Sequence, residues 1–426
     1  AWSLVLNTRA DADWYLLVEA RHGTLLYRKN IRYNASTQQA RFSVYTQSGG
    51  VPADSPAPAS PITVLPGAGT QFPEITRNTQ SMLSLENLAA SPNGWIPDGG
   101  STTTGNNVDA YLDRSGDDAP DAGTLDSNGR PQGNPDAQGR NRDFLGSTPR
   151  DFSYAPAPLA GNPDAGDAPA LARYQRGVVT NLFYLTNYFH DRLYALGFNE
   201  AAGNFQSSNF GKGGSGADPI HAEAQQAADV GSANNANFSP GPDGTPGIMR
   251  MFLWSSPSPM RDGSLDAAII FHELTHGVSN RLIGDAAGLN WIPGGGMGEG
   301  WSDFYALSLL NPLPSDDPDG RYPFGAYALY GISGTFHDNY VYGVRKFPYS
   351  TDNSVNPLTW ADVDHTTVSM LGGILPSPLG FQGNGAAEVH NIGEVWALTL
   401  WEVRSRIIAA LGGDVAAGSQ IALQIV

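Results

Sequence analysis

Cysteine is missing from all 426 residues. Disulfides and thiol chemistry are therefore excluded, although this does not place the chain in the cytosol. No run of about 18 apolar residues occurs, so no membrane span is expected. Basic residues are scarce: 24 Lys and Arg stand against 41 Asp and Glu, a formal net charge of -17. That balance argues against nucleic acid as a partner. It also leaves many carboxylates for calcium, a further candidate ion. The start, AWSLVLNT, carries no basic leader and no signal-like apolar run. Any signal peptide is expected to be gone, or never to have existed. No internal repeat is evident.

Glycine and proline, in contrast, are plentiful at 51 and 31 residues, which predicts many loops and turns. The length suits two or three domains. Residues 1–40 open as a small meander, with Trp2, Leu4 and Leu6 on one face and RHGT at 21–24 as a turn. Residues 41–260 read as a β-rich, loop-rich lobe. VPADSPAPASPITVLPGAG at 51–69 has too many prolines for a helix or a central strand. Within this lobe Val178, Leu182, Leu185, Phe189 and Leu193 mark an amphipathic helix stopped at Gly197. Residues 214–247 look loop-like, and IMRMFLW at 248–254 reads as a strand.

Residues 261–426 read as mainly helical. The helices are DAAIIFHELTHGVSNRL (266–282), with Asp262 or Ser264 as candidate caps, GEGWSDFYALSLL (298–310) and residues 388–411. The chain ends in QIALQIV, inside an apolar helical pattern without cap or breaker. A C-terminal segment is expected to be missing, or to persist as a nicked fragment. The acidic runs DRSGDDAPDAGTLD (113–126) and SDDPDG (315–320) can be read as solvated turns or as calcium loops. The bidentate glutamate of an EF-hand is absent from the second.

FHELTHG at 271–277 carries the chemistry. On a helix, positions four apart share a face, so His272 and His276 can bind one zinc ion. Glu273 sits about 100° round the helix from His272 and can reach a zinc-bound water without being a ligand. The bland reading is a polar helix stripe. A third ligand is needed, and GGGMGEGWSDF at 294–304 offers one. Glu299 is read as opening a helix after a glycine-rich loop. Asp303, four residues on, faces the same way and can hold the second nitrogen of a zinc histidine.

FHELTHG, GGGMGEGWSDF and EVHNIGEVWAL (388–398) together resemble the fungalysin-type zinc metallopeptidases, within the thermolysin-like gluzincins. GNNVDAYLDR (105–114), residues 178–198 and NNANF followed by MRMFLW are also similar, so the resemblance runs from about residue 41 to 426. It implies an α+β, thermolysin-like fold of two lobes with the cleft between them. It implies zinc on His272, His276 and Glu299, with Glu273 as general base. His390 is then the donor to the oxyanion, and Asn235 and the Ala236 carbonyl bind the substrate backbone on an edge strand. Such enzymes place a tyrosine near the oxyanion. Here that stretch is LNWIPGGG, so Trp291, another tyrosine, or His390 alone must serve. Glu388, two residues before His390, can orient or charge that ring, or stand as an exposed carboxylate.

Residues 1–40 resemble the closing strands of a fungalysin propeptide, which inhibits the enzyme until removed; the alternative is an ordinary N-terminal sheet of the catalytic domain. The reading is a secreted, extracellular, monomeric zinc endopeptidase, made as a zymogen and acting on proteins and peptides. Two rivals are a gluzincin aminopeptidase, for which no GxMEN-like stretch is present, and a zinc-binding protein without catalysis, against which the retention of Glu273 counts.

Overall fold

The computed structural model of the chain describes residues 2–9, 12–30, 40–47, 50–53, 56, 60–62, 78–81, 89–97, 100, 102–121, 124–125, 131–132, 151–152, 168–258, 260–329, 339–364 and 388–426. Strands β1 (Trp2–Arg9), β2 (Ala12–Val18) and β3 (Leu25–Asn30) form an antiparallel sheet of their own, with Trp2 opposite Val18 and Trp14 opposite Asn30. The turn between β2 and β3 falls where RHGT predicts one. Glu19 closes it by accepting from the N–H groups of Arg21 (2.9 Å) and His22 (2.6 Å). Short strands follow: β4 (Arg41–Val44), β5 (Asn78–Ser81), β6 (Val108–Leu112), β7 (Thr124–Leu125), β8 (Pro131–Gln132) and β9 (Asp151–Phe152). Strand β4 lies between β5 and β9. Most of the proline-rich stretch at 51–69 lies outside the described residues.

Helix α1 (Ala168–Ala195) is the amphipathic element marked by Val178 and Leu193, and Gly197 ends it at φ 109°. It packs on β4, β6 and the next strand, β10 (Ile220–Ala224). Beyond β10 come β11 (Ala236–Ser239), β12 (Gly247–Met251), β13 (Leu253–Trp254) and β14 (Arg261–Asp262). The main sheet has the order β11-β12-β10-β6. Strand β10 runs parallel to both neighbours, and β11 is an antiparallel edge. The stretch 214–247, loop-like by composition, therefore contains β10, one of the sheet's two inner strands, and the edge strand β11 that the resemblance of NNANF implies.

The helical part comprises α2 (Ala267–Leu282), α3 (Ile292–Leu310), the short α4 (Asn339–Tyr342), α5 (Val389–Ala410) and α6 (Val415–Ile425). Sheets dominate the first half and helices the second, an α+β fold. Helix α2 buries Ile270, Phe271 and Leu274 against α1, the main sheet and α3, a gain of roughly 1.5–3 kcal/mol for each large side chain. Its cap is Asp266 rather than Asp262 or Ser264: the carboxylate accepts from Ile269 N–H at 3.2 Å and from Ala328 N–H at 3.0 Å. Asp262 caps the preceding 3-10 turn through Ser264 N–H.

A larger difference concerns the glycines at 294–296. They are not a loop; they lie inside α3, which starts two turns before Glu299. The reason is helix contact. A Cβ on Gly296 would lie 2.5 Å from Ile392, one on Gly300 2.7 Å from Trp396, and one on Gly393 2.5 Å from Glu299 Cβ. Only bare backbone lets α3 and α5 approach this closely. The crossing offsets a helix-propensity cost of about 1 kcal/mol per glycine and sets α5 beside Glu299.

Candidate metal centre

One helix presents the histidine pair and the next presents the carboxylate. His272 Nε2 and His276 Nε2 lie 3.0 Å apart. Glu299 Oε2 is 3.1 Å from His272 Nε2, and Glu299 Oε1 is 3.5 Å from His276 Nε2. Two donors each about 2.1 Å from a tetrahedral zinc stand about 3.4 Å apart, so the three spacings fit one shared ion. The chemistry of the donors agrees. Two imidazole nitrogens point at each other, and the buried Glu299 Oε2 makes no hydrogen bond. Burial pushes Glu299 up, yet the neighbouring histidines hold it well below the usual carboxylate range.

Asp303 stands behind His272. Its Oδ1 is 2.7 Å from His272 Nδ1, which leaves Nε2 free to face the centre. The carboxylate is itself held from the far side. Arg345 donates from Nε at 2.7 Å and from Nη2 at 2.8 Å, and Tyr349 donates from its hydroxyl at 2.5 Å. The guanidinium lies 4.8 Å above the Phe324 ring, whose centre is 5.2 Å from that of His272. Burial pushes Asp303 up, but Arg345 and His272 outweigh it and pull the carboxyl well below its ordinary range.

Glu273, on the same helix, is 5% exposed, and burial pushes its carboxyl above the usual value against the opposing charge of His272 and His276. His390 enters from α5, with Nε2 at 3.4 Å from Glu299 Oε2. Of its two readings, Glu388 takes the one beside His390. It caps α5 through Asn391 N–H at 3.1 Å and meets His390 Nδ1 at 2.7 Å. Burial raises the Glu388 carboxyl, but these bonds lower it further, below the usual range. Trp291 is the N-cap residue of α3 and is 82% exposed. Among the described residues, the tyrosine hydroxyl bonded into this network is that of Tyr349, on Asp303. Asn235 is exposed and Ala236 opens the edge strand β11.

Sequence reasoning thus places His272, Glu273, His276, Glu299, Asp303 and His390 in one neighbourhood. It misses Arg345 and Tyr349, 42 and 46 residues from Asp303, where no local pattern marks them.

The two acidic runs differ in how their carboxylates are used. Asp316 is buried and closes its turn by accepting from Leu313 N–H at 2.6 Å. Asp113, Asp118 and Glu223 do bring carboxylate oxygens within 4.8 Å of one another. A cation is already there, however: Arg250 donates to Asp118 at 2.7 and 2.8 Å and lies 3.5 Å from Glu223 Oε2. Burial, opposed by the Tyr111 hydroxyl bond, pushes Glu223 up to about 8. A carboxyl raised in the folded state contributes stability that is full below its ordinary value and is lost as pH rises through about 8. Glu223→Gln should therefore gain melting temperature relative to the parent as pH rises from about 5 to about 8. A difference that stays constant across that range in thermal melts contradicts the assignment.

A family model described as fungalysin metallopeptidase (M36) matches residues 66–425, beginning somewhat later than the resemblance read from the motifs. Extracellular metalloproteinase 3 of Trichophyton soudanense is 40% identical over 335 residues, 77% of this chain and 70% of that protein. The protein of the same name from Trichophyton rubrum is 40% identical over 335 residues, 43% of its length. Extracellular metalloproteinase 2 of Arthroderma gypseum is 44% identical over 239 residues, 55% of this chain and 33% of that protein. The family match takes in every residue gathered at the centre, where the helix of His272 and His276, the helix of Glu299 and His390 of α5 meet. The chain belongs to the fungalysin metallopeptidase family.

Proposed function

We propose that the chain is a secreted zinc endopeptidase hydrolysing peptide bonds in extracellular proteins. The observation that carries this reading is the convergence of His272, His276 and Glu299 on one point, their donor atoms within 4.8 Å. These three would hold the ion, and Asp303 would fix the His272 ring. When bound, zinc supplies a Lewis acid that acidifies water and polarises the scissile carbonyl. Glu273 then takes the proton from the water that attacks the carbonyl carbon. As the C–N bond breaks, Glu273 passes that proton to the departing nitrogen. His390, its Nδ1 held by Glu388, offers Nε2–H to the oxygen where negative charge develops. Asn235 and the Ala236 carbonyl bind the peptide backbone as it adds to the free edge of β11.

On this reading residues 41–260 supply the substrate edge and residues 261–426 the ion and proton chemistry. Residues 1–40 are the retained end of an inhibitory propeptide, and the enzyme works as a monomer. Secretion is supported by the names of the relatives, which are called extracellular.

Chelator-treated protein should lose cleavage of casein and regain it when zinc is restored to one ion per chain. Full activity without metal overturns the reading. A peptide blocked at both ends should still be cut; a requirement for a free amino terminus would make the enzyme an aminopeptidase instead.

A further inference from the structure

The substrate edge is anchored at two points, and only one of them touches the helix of the histidines. At its far end, Phe238 of β11 packs on Gly277, the residue after His276. A Cβ on Gly277 would lie 2.7 Å from the Phe238 ring. This contact ties the edge strand to the zinc helix.

The near end is held by Asn234. Just before it, Ala233 bridges Leu253 in the parallel sense, whereas Ala236 pairs with Met251 in the antiparallel sense. The chain must turn over between them. Asn234 makes that turn at φ 61°, a left-handed conformation that asparagine tolerates better than most residues. Its N–H donates to Leu253 O at 2.7 Å. Its side-chain Oδ1 accepts from Ser255 N–H (2.9 Å), Ser256 N–H (3.3 Å) and the Ser256 hydroxyl (3.2 Å). Its Nδ2 donates to the Ser255 hydroxyl at 2.9 Å. One exposed side chain therefore makes four hydrogen bonds across the gap that the sheet ladder leaves open. Asn235, immediately after this clamp, has no ladder partner, and its direction is set by the residue before it.

We propose that Asn234 is a positioning residue for peptide hydrolysis: its clamp on Ser255 and Ser256 sets the direction in which Asn235 and Ala236 meet an extended substrate. The inference rests on the reading of β11 as the substrate edge. Asn234 touches no reacting atom; it acts through Asn235. Its loss tilts the bound peptide against the ion and Glu273, and a misplacement of about 1 Å can cost up to about 10²-fold in rate. The zinc donors and the core are untouched, so metal content and melting temperature should hold.

The test measures kcat and KM on a blocked octapeptide, zinc per chain and melting temperature for Asn234→Gly, Asn234→Asp and Asn235→Ala. Glycine keeps the left-handed backbone and deletes the clamp; kcat should fall about 10- to 100-fold with one zinc retained and melting unchanged. Aspartate keeps Oδ1 and the three bonds it accepts, and should recover most of the activity. Glycine equal to the parent overturns the inference, as does a loss that aspartate does not rescue or that accompanies a fall in melting temperature. Asn235→Ala separates the layers. If it is impaired while Asn234→Gly is not, the clamp alone is wrong; if Asn235→Ala is also neutral, the edge-strand reading fails.

Discussion

Exchange of Glu273 for glutamine is expected to lower kcat for peptide hydrolysis by about 10²- to 10⁴-fold while each chain keeps one zinc. His272, His276 and Glu299 bring the donor atoms together, and Glu273 is absent from that group although it lies between the histidines in sequence. A carboxylate beside the ion without binding it is free to accept a proton. Burial raises its affinity for that proton, which moves a carboxylate towards the basicity a general base needs near neutral pH. Glutamine has almost the same shape and hydrogen-bonding length, so α2 should pack as before. It cannot accept and return a proton. Because a neutral amide is cheaper to bury than a charge, the melting temperature should hold or rise. Zinc analysis and single-turnover cleavage of a blocked peptide decide the matter. A variant that keeps kcat within a few-fold of the parent places the base elsewhere, whereas a protein that only binds zinc should show no cleavage in the parent either.

The parts of this centre that are visible in the sequence are those fixed within one helix. Residues four apart share a face, so His272 and His276, and separately Glu299 and Asp303, can be paired from spacing alone. Contacts between helices are less legible. The glycines at 294–296 suggest a loop because glycine disfavours helix. In the fold the same glycines let α3 pass close to α5, a reason that lives in Ile392 and Trp396, about a hundred residues on. Strand β10, IHAEA, escapes notice for a related reason. It is an inner parallel strand, largely buried, and alanine and glutamate carry little β-propensity. Spacing leaves Glu388 open between an exposed carboxylate and a partner of His390, and the start of α5 at Val389 makes it a cap within reach of that ring. Asn234 differs again: nothing in NNANF separates the first asparagine from the second, and the difference is a backbone angle.

Removal of the Asp303 carboxylate should damage both metal binding and folding, and the two losses have separate causes. Asp303 fixes the His272 ring through Nδ1; without it the ring can turn, and zinc affinity should fall about 10- to 100-fold in chelator competition. On its other side Asp303 neutralises Arg345, which is 6% exposed. Asp303→Ala strands that guanidinium against Phe324 and leaves the Tyr349 hydroxyl without its acceptor. Breaking a buried pair in this way costs about 3–5 kcal/mol, to be read from denaturant unfolding of the metal-free protein. Acid should mimic the stability loss. Arg345 and His272 hold the folded carboxyl below its ordinary value, so its contribution is full above that value and fades as pH falls through the depressed one. Asp303→Asn separates the effects, since the amide keeps an acceptor for His272 but gives Arg345 no charge. Asparagine should therefore bind zinc better than alanine while remaining destabilised. Equal zinc affinity in parent and alanine variants would mean that packing against Phe324, not the carboxylate, orients His272.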